Sequence, residues 1–334
     1  MRLSKAFDTF YDAISLGVKP TGKIESASHG LREHLVSVYG LAEDVIFFQG
    51  SYPNGTAVAP EDRDNGEYDV DLVAVCAAAN ASANATLDDL EEKLAENATY
   101  RRLIRREGSR KKPCVRLRYA DDEVGGFHVD VVPARASASD DPDAPLEVPR
   151  RDEGWHDTAP REYSEWCRER GERFARTVMM LKRWRDVHQS ARQSVKSIVL
   201  QVLADEGLGS HSSDGEALVE TLSSMRSALA PYPDRAPTVS NPVMPAENLA
   251  ARWEDADYQA FLRELDEALM LARRALESSG REESHKLWRQ LLGGDFPATP
   301  TDPAKRTGRM PATPPPGYER VRQETPRRER YGRG

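Results

Sequence analysis

Two short β-branched runs, YDVDLVAV at 68–75 and FHVDVVPA at 127–134, carry carboxylates where a buried strand would otherwise be apolar. Few arrangements tolerate that. Side chains two apart on a strand share a face, so Asp69 and Asp71 point the same way. Like charges held close raise each other's pKa unless a cation lies between them. One reading puts both acids on a solvated face, alternating with inward Val70 and Leu72. Asp130 favours another, because it sits inside the strongly apolar FHVDVV, where an unpaired carboxylate has little reason to be. Three carboxylates on two neighbouring strands form a hard, oxygen-rich site of the kind Mg²⁺ prefers. Two such ions about 4 Å apart activate an attacking hydroxyl and stabilise a leaving pyrophosphate.

The rest of the chain divides into two patterns. Helical periodicity covers 4–16 and 24–39, and VIFF (45–48) reads as a short buried strand. A helix rich in Leu, Glu and Arg is expected over 86–107, and CVRLRY (114–119) alternates as a strand with one solvated face. Residues 135–160 are rich in Asp, Ala and Pro and read as a loop. Helix follows almost without interruption: 161–187, 194–205, 215–229, 249–277 and 284–292. The expectation is an α+β fold, with a strand-bearing lobe with N-terminal helices (1–160), a C-terminal helical lobe (161–294) and a flexible Pro/Arg-rich tail (295–334), the active site lying in the cleft between the lobes.

Between the first strand and the first acids lies Gly50-Ser51-Tyr52-Pro53-Asn54-Gly55-Thr56. Gly50 permits close backbone approach to a phosphate, and Ser51 offers a hydroxyl and a backbone N–H. The plainer reading is a strand-to-helix turn with a Ser cap. A Walker A loop is excluded, because Thr56 and Ala57 follow the second glycine where Lys is required. No G-x-S-x-G elbow or H-E-x-x-H pair offers another hydrolytic or zinc chemistry.

Gly50-Ser51, Asp69-x-Asp71 and a third Asp on a later strand resemble the signature of DNA-polymerase-β-like nucleotidyltransferases. QGSYPNGT, YDVDLV, FHVDVVPA and the N-terminal FDTFYDAISL resemble, more narrowly, the bacterial CD-NTases, relatives of cyclic GMP–AMP synthase and oligoadenylate synthase. That resemblance implies a polymerase-β-like lobe with a small mixed sheet. It also implies Mg²⁺-dependent joining of NTPs into a cyclic or linear oligonucleotide second messenger for antiphage defence. Two ions, with Mn²⁺ as a substitute, would be held by Asp69, Asp71 and Asp130. MMLKRWRD (179–186) and SVKSIVLQ (194–201) are similar to the family's paired helices, which implies that Lys182 and Ser197 contact the triphosphate. The plainer reading of Lys182 is a surface lysine with a snorkelling stem. Where family members often carry an aromatic residue to stack on the base, this chain has Ile198. SNPVMPAENLAARW (240–253) looks like the family's Asn-Pro…Asn-Leu segment, read as a structural helix start. Two rivals remain: a nucleotidyltransferase acting on an RNA or protein acceptor, and a non-catalytic nucleotide-binding or antitoxin module.

Composition bounds the partners. The net charge of −8 argues against general affinity for nucleic acid. The basic stretch from Arg101 to Arg118 reads either as a solvated helix and hairpin or, by analogy with the animal relative, as a sensing surface. Residues 301–334 hold nine Lys/Arg against four Asp/Glu, a balance of +5 that leaves −13 for the rest. This tail reads as a solvated appendage or, by family resemblance, as an arm joined through Gly334 to a conjugation partner. Cys76, Cys114 and Cys167 form no C-x-x-C pair, and no apolar run approaches the roughly 20 residues of a membrane span. With no signal-peptide pattern at the start, a reducing cytoplasm is the expected location.

Overall fold

The computed structural model describes residues 2–299 apart from 62–66, 79, 106–112, 120–125, 138–143, 210 and 212. The tail from 300 to Gly334, with its expected mobility and conjugation, lies outside the described residues, as does the middle of the Arg101–Arg118 cluster.

The β-branched runs form the centre of a mixed sheet. Its strands are β1 (Ile46–Gln49), β2 (Tyr68–Val75), β3 (Ile104–Arg105), β4 (Val115–Tyr119), β5 (Phe127–Ala136), β6 (Leu146–Arg150) and β7 (Gly154–Thr158). The order is β1-β2-β5-β4-β3, with β6 paired to the end of β5 and to β7. β2 and β5 run parallel, while every other pairing is antiparallel. Val70, Leu72 and Ala74 of β2 and Val129 and Val131 of β5 enter one core. There they meet Ile24, Leu31 and Leu35 of α2 (Val18–Tyr39) and Leu90 and Leu94 of α3 (Ala83–Glu96). Each such side chain contributes about 1.5–3 kcal/mol on burial. A one-residue slip would put Asp69 and Asp71 into that core, so the apolar pattern fixes the register. The opposite face carries the acids at one end and Val73, Val132 and Ala134 at the other.

The loop expected over 135–160 contains the β6–β7 hairpin, and Leu146 and Val148 cover Val73, Val132 and Ala134. The expected single helix 161–187 is two, α5 (Pro160–Glu169) and α6 (Gly171–Val187). Gly171 has φ 74°, a left-handed conformation that stops one helix and redirects the next. The expected 86–107 helix likewise breaks at Asn97, whose side chain caps α4 (Ala98–Leu103). Beyond α6 come α7 (Gln189–Ser194), α8 (Ser197–Asp205), α9 (Asp214–Leu229), α10 (Asp255–Glu277) and α11 (Arg281–Leu292). Residues 249–254, expected to open the penultimate helix, are turns and loop ahead of α10.

Two findings redraw the expected boundaries. Phe7, Phe10 and Ile14 of α1 (Ser4–Ile14) pack into the helical core with Phe174, Val178 and Trp288, although the sequence pattern groups them with the sheet. The packed chain also runs past 294: Phe296 is fully buried, 5.1 Å from the Phe7 ring and tilted on Trp288. The start of the tail at 295 therefore comes too early. Among the described residues no helix is long and apolar enough to cross a membrane.

Candidate active site

The parallel register sets Asp71 beside Asp130 and Asp69 beside His128. Asp69 projects outward, with 72% of its side chain exposed, whereas Asp130 is buried. Burial, followed by the charges of Asp130 and Asp69, pushes the Asp71 carboxyl up to about 6; His128 and Arg116 partly offset this. Asp130 does not stand unpaired in its apolar surroundings, and its partner is an arginine of the neighbouring strand. Arg116, its neighbour on β4, donates from Nε to Oδ1 and from Nη2 to Oδ2, both at 2.7 Å. His128 pairs with Asp69 through Nε2 and lies 3.4 Å from Glu67 through Nδ1. Glu67 in turn pairs with Arg118. Two arginines of the expected basic cluster are thus spent on the acids of this site.

Among the described residues no three His, Cys, Asp or Glu side chains are gathered closely enough to cage a metal alone. Mg²⁺ binds through one or two carboxylates plus substrate phosphates and keeps several waters. Asp69 and Asp71 supply such oxygens on one face, where burial first and the charges of Asp130 and Asp69 second raise the Asp71 carboxyl.

The glycine turn follows β1, which is antiparallel to β2 and sets Gln49 opposite Asp71. Gly50 has φ 78°, and a Cβ added there would stand 2.9 Å from Oδ2 of Asp71. Glycine is needed both for the left-handed backbone and for the close approach. No helix starts at Ser51; residues 51–55 are a turn, closed by Thr56 N–H donating to the Ser51 carbonyl at 3.0 Å. Two consecutive residues of α6 fasten the stretch of chain after this turn. Lys182 Nζ donates to the Thr56 carbonyl at 2.8 Å, and Arg183 donates to the Ala59 carbonyl at 2.7 Å. Lys182 is buried, not a surface lysine, and burial followed by the charge of Arg185 pushes its pKa down to about 8.

A cleft of about 950 Å³ brings most of the expected residues together. Gly50, Ser51, Asp69 and Asp71 line one side, and Lys182 and Ser197 line the other. Asp130 does not line the cleft; it stands beside Asp71 on the neighbouring strand. Ser197 is the first residue of α8, where unpaired helical N–H groups favour an anion, and Arg185 donates to its hydroxyl. Ile198 lines the cleft without an aromatic face, but Tyr68 and Tyr163 line it too. The Tyr163 hydroxyl is buried without a hydrogen-bond partner.

Sequence reasoning missed Arg116, His128, Arg185 and Tyr163. The sequence signal was limited: Arg116 and Arg118 are two apart on an alternating strand and so share a face, but which acid each meets depends on the strand order.

The chain is similar to known proteins in sequence and in fold. Residues 1–171 match the domain family described as Second Messenger Oligonucleotide or Dinucleotide Synthetase, SMODS. A c-di-GMP synthase of Roseivirga ehrenbergii is 25% identical over 287 residues, spanning 77% of this chain and 74% of its own. A cyclic AMP-AMP-AMP synthase of Acinetobacter sp. is 26% identical over 263 residues, spanning 75% of this chain and 72% of its own. Among solved structures, the Bradyrhizobium diazoefficiens CD-NTase CdnG in complex with GTP superposes with a TM-score of 0.68 at 19% identity, covering 86% of this chain and 94% of that one.

Proposed function

Because this chain belongs to the family of second messenger oligonucleotide or dinucleotide synthetases, we propose that its cleft joins NTPs into a cyclic or linear oligonucleotide signal, with Asp69, Asp71 and Asp130 as the acidic centre. It is a nucleotidyltransferase of the mixed α+β, polymerase-β-like kind, and enzymes of this family use divalent metal ions. The observation that carries the residue assignment is the convergence of Gly50, Ser51, Asp69, Asp71, Lys182 and Ser197 on one cleft.

In this reading the backbone at Gly50 and Ser51 receives the donor triphosphate, since a left-handed glycine leaves no Cβ in the way. Lys182, Arg185 and the α8 N-terminus with Ser197 draw its negative charge toward the helical wall. Tyr68, Tyr163 and Ile198 give the base apolar surface to pack on. Asp69 and Asp71, with Asp130 beside Asp71, would hold two Mg²⁺ ions or Mn²⁺ in their place. When bound, these would supply a lowered pKa at the attacking ribose hydroxyl and charge neutralisation at the leaving pyrophosphate. The hydroxyl gives up its proton to solvent, its oxygen bonds to the α-phosphorus, and the bond to the pyrophosphate bridging oxygen breaks. We place the product in antiphage defence signalling, the role the family resemblance implies.

The test is incubation of purified protein with all four NTPs and Mg²⁺, followed by phosphatase treatment and mass spectrometry. Phosphatase-resistant oligonucleotides made without an added acceptor are expected, and the folded Asp69→Ala/Asp71→Ala variant should release no pyrophosphate. Product from that variant, or nucleotide transfer only to an added RNA or protein, sinks the assignment.

A further inference from the structure

Resting on that reading of the acidic centre, we infer that Arg116 is a positioning residue for the reaction, fixing the direction of the Asp130 carboxylate without touching substrate. Asp130 is 7% exposed on a strand whose alternate residues enter the core. A carboxylate there, next to Asp71, is relieved of like-charge repulsion by rotating away from its neighbour. The two-pronged bond to Arg116 prevents that rotation. Nε and Nη2 each donate to a different oxygen at 2.7 Å, so the carboxylate plane is tied to the guanidinium plane.

The guanidinium is itself placed by the fold. Arg116 stands directly opposite Asp130 in the β4–β5 ladder, between Val115 and Leu117, both buried in the sheet. It does not line the cleft. A carboxylate retains further lone-pair directions when each oxygen accepts one N–H, so the grip leaves Asp130 able to accept further bonds beside Asp71. Outer partners of this kind hold a ligating group in its productive orientation. Lysine at the same site would keep the charge but offers a point donor in place of a planar fork.

The experiment compares Arg116→Lys and Arg116→Met with Asp130→Asn, reading kcat, KM for each NTP, and Mn²⁺ affinity by electron paramagnetic resonance with a non-hydrolysable NTP present. Arg116→Lys should remain folded, with kcat lowered about 10-fold and KM within roughly 3-fold of wild type. Arg116→Met should lose about 100-fold in kcat and weaken Mn²⁺ binding in step. If Met unfolds the protein, the lysine variant alone decides, because it keeps the buried charge. Wild-type kcat and Mn²⁺ affinity in Arg116→Lys overturn the inference, as does a loss confined to KM. Should Asp130→Asn itself retain full turnover, the reading of the acidic centre has failed, a result distinct from failure at Arg116.

Discussion

Replacing Asp71 with Asn should stabilise the metal-free protein while abolishing synthesis. The Asp71 carboxyl titrates at about 6 against an ordinary 3.8, from burial first and the charges of Asp130 and Asp69 second. Because the folded value is the higher one, the proton is bound more tightly in the native state. The penalty is therefore absent in acid, appears as pH rises above the unfolded value, and is complete above the folded one. At roughly 1.4 kcal/mol per pH unit it reaches about 3 kcal/mol at pH 8 and falls to about half of that at pH 5. Asn removes the charge at nearly constant shape. With about 2 °C per kcal/mol for a chain of this size, Asp71→Asn should melt roughly 6 °C higher than wild type at pH 8 in chelator. The advantage should narrow toward pH 5. Mg²⁺ with NTP should raise the wild-type melting temperature and leave the variant unmoved. A variant that melts no higher than wild type at pH 8, or whose gain is the same at both pH values, refutes the electrostatic reasoning.

Gly50→Ala should lower both stability and turnover. The left-handed backbone costs an L-residue about 1–2 kcal/mol, and the new methyl stands 2.9 Å from Asp71 Oδ2; wild-type kcat in the variant would show that this approach is not needed. Lys182→Met should raise KM for NTPs about 10- to 100-fold with a smaller effect on kcat, as expected for a charge-assisted contact present in both ground and transition states. Since Lys182 titrates at about 8, binding by the wild type should weaken as pH rises through that value, and the variant should lose this limb. Phe296→Ala should destabilise the protein by about 3–5 kcal/mol, because the ring is fully buried beside Phe7. Deletion of 300–334 should leave the melting temperature and in vitro synthesis unchanged, whereas deletion from 295 should mimic Phe296→Ala.

The features legible in the chain alone are local in origin. Strand β2 is expected over the residues it occupies, because an apolar, Val-rich run interrupted only by Asp69 and Asp71, with polar residues before it and an Ala/Asn/Ser stretch after it, leaves little alternative. The shared face of Asp69 and Asp71 comes from strand geometry alone. The β6–β7 hairpin escapes a sequence reading because its strands are mostly half-exposed and hold Pro149, Arg150, Glu147 and Asp157, a composition usual in loops. Phe296 is invisible for a related reason: one aromatic residue in a Pro- and Gly-rich stretch has no period, and its pocket is built in part by Phe7 and Phe10, about 290 positions earlier. Arg116 reads as one member of a basic run, since only the β4–β5 pairing shows which acid it meets.

The fastening of residues 56–59 to α6 has a mechanical consequence. Lys182 and Arg183 are adjacent on one helix, so their hold on the carbonyls of Thr56 and Ala59 moves as a single piece with that helix. The strip of chain they hold continues directly from the turn at Gly50. A displacement of α6 would therefore be passed through this strip to the turn beside Asp71, so the helical wall and the glycine turn share one mechanical fate.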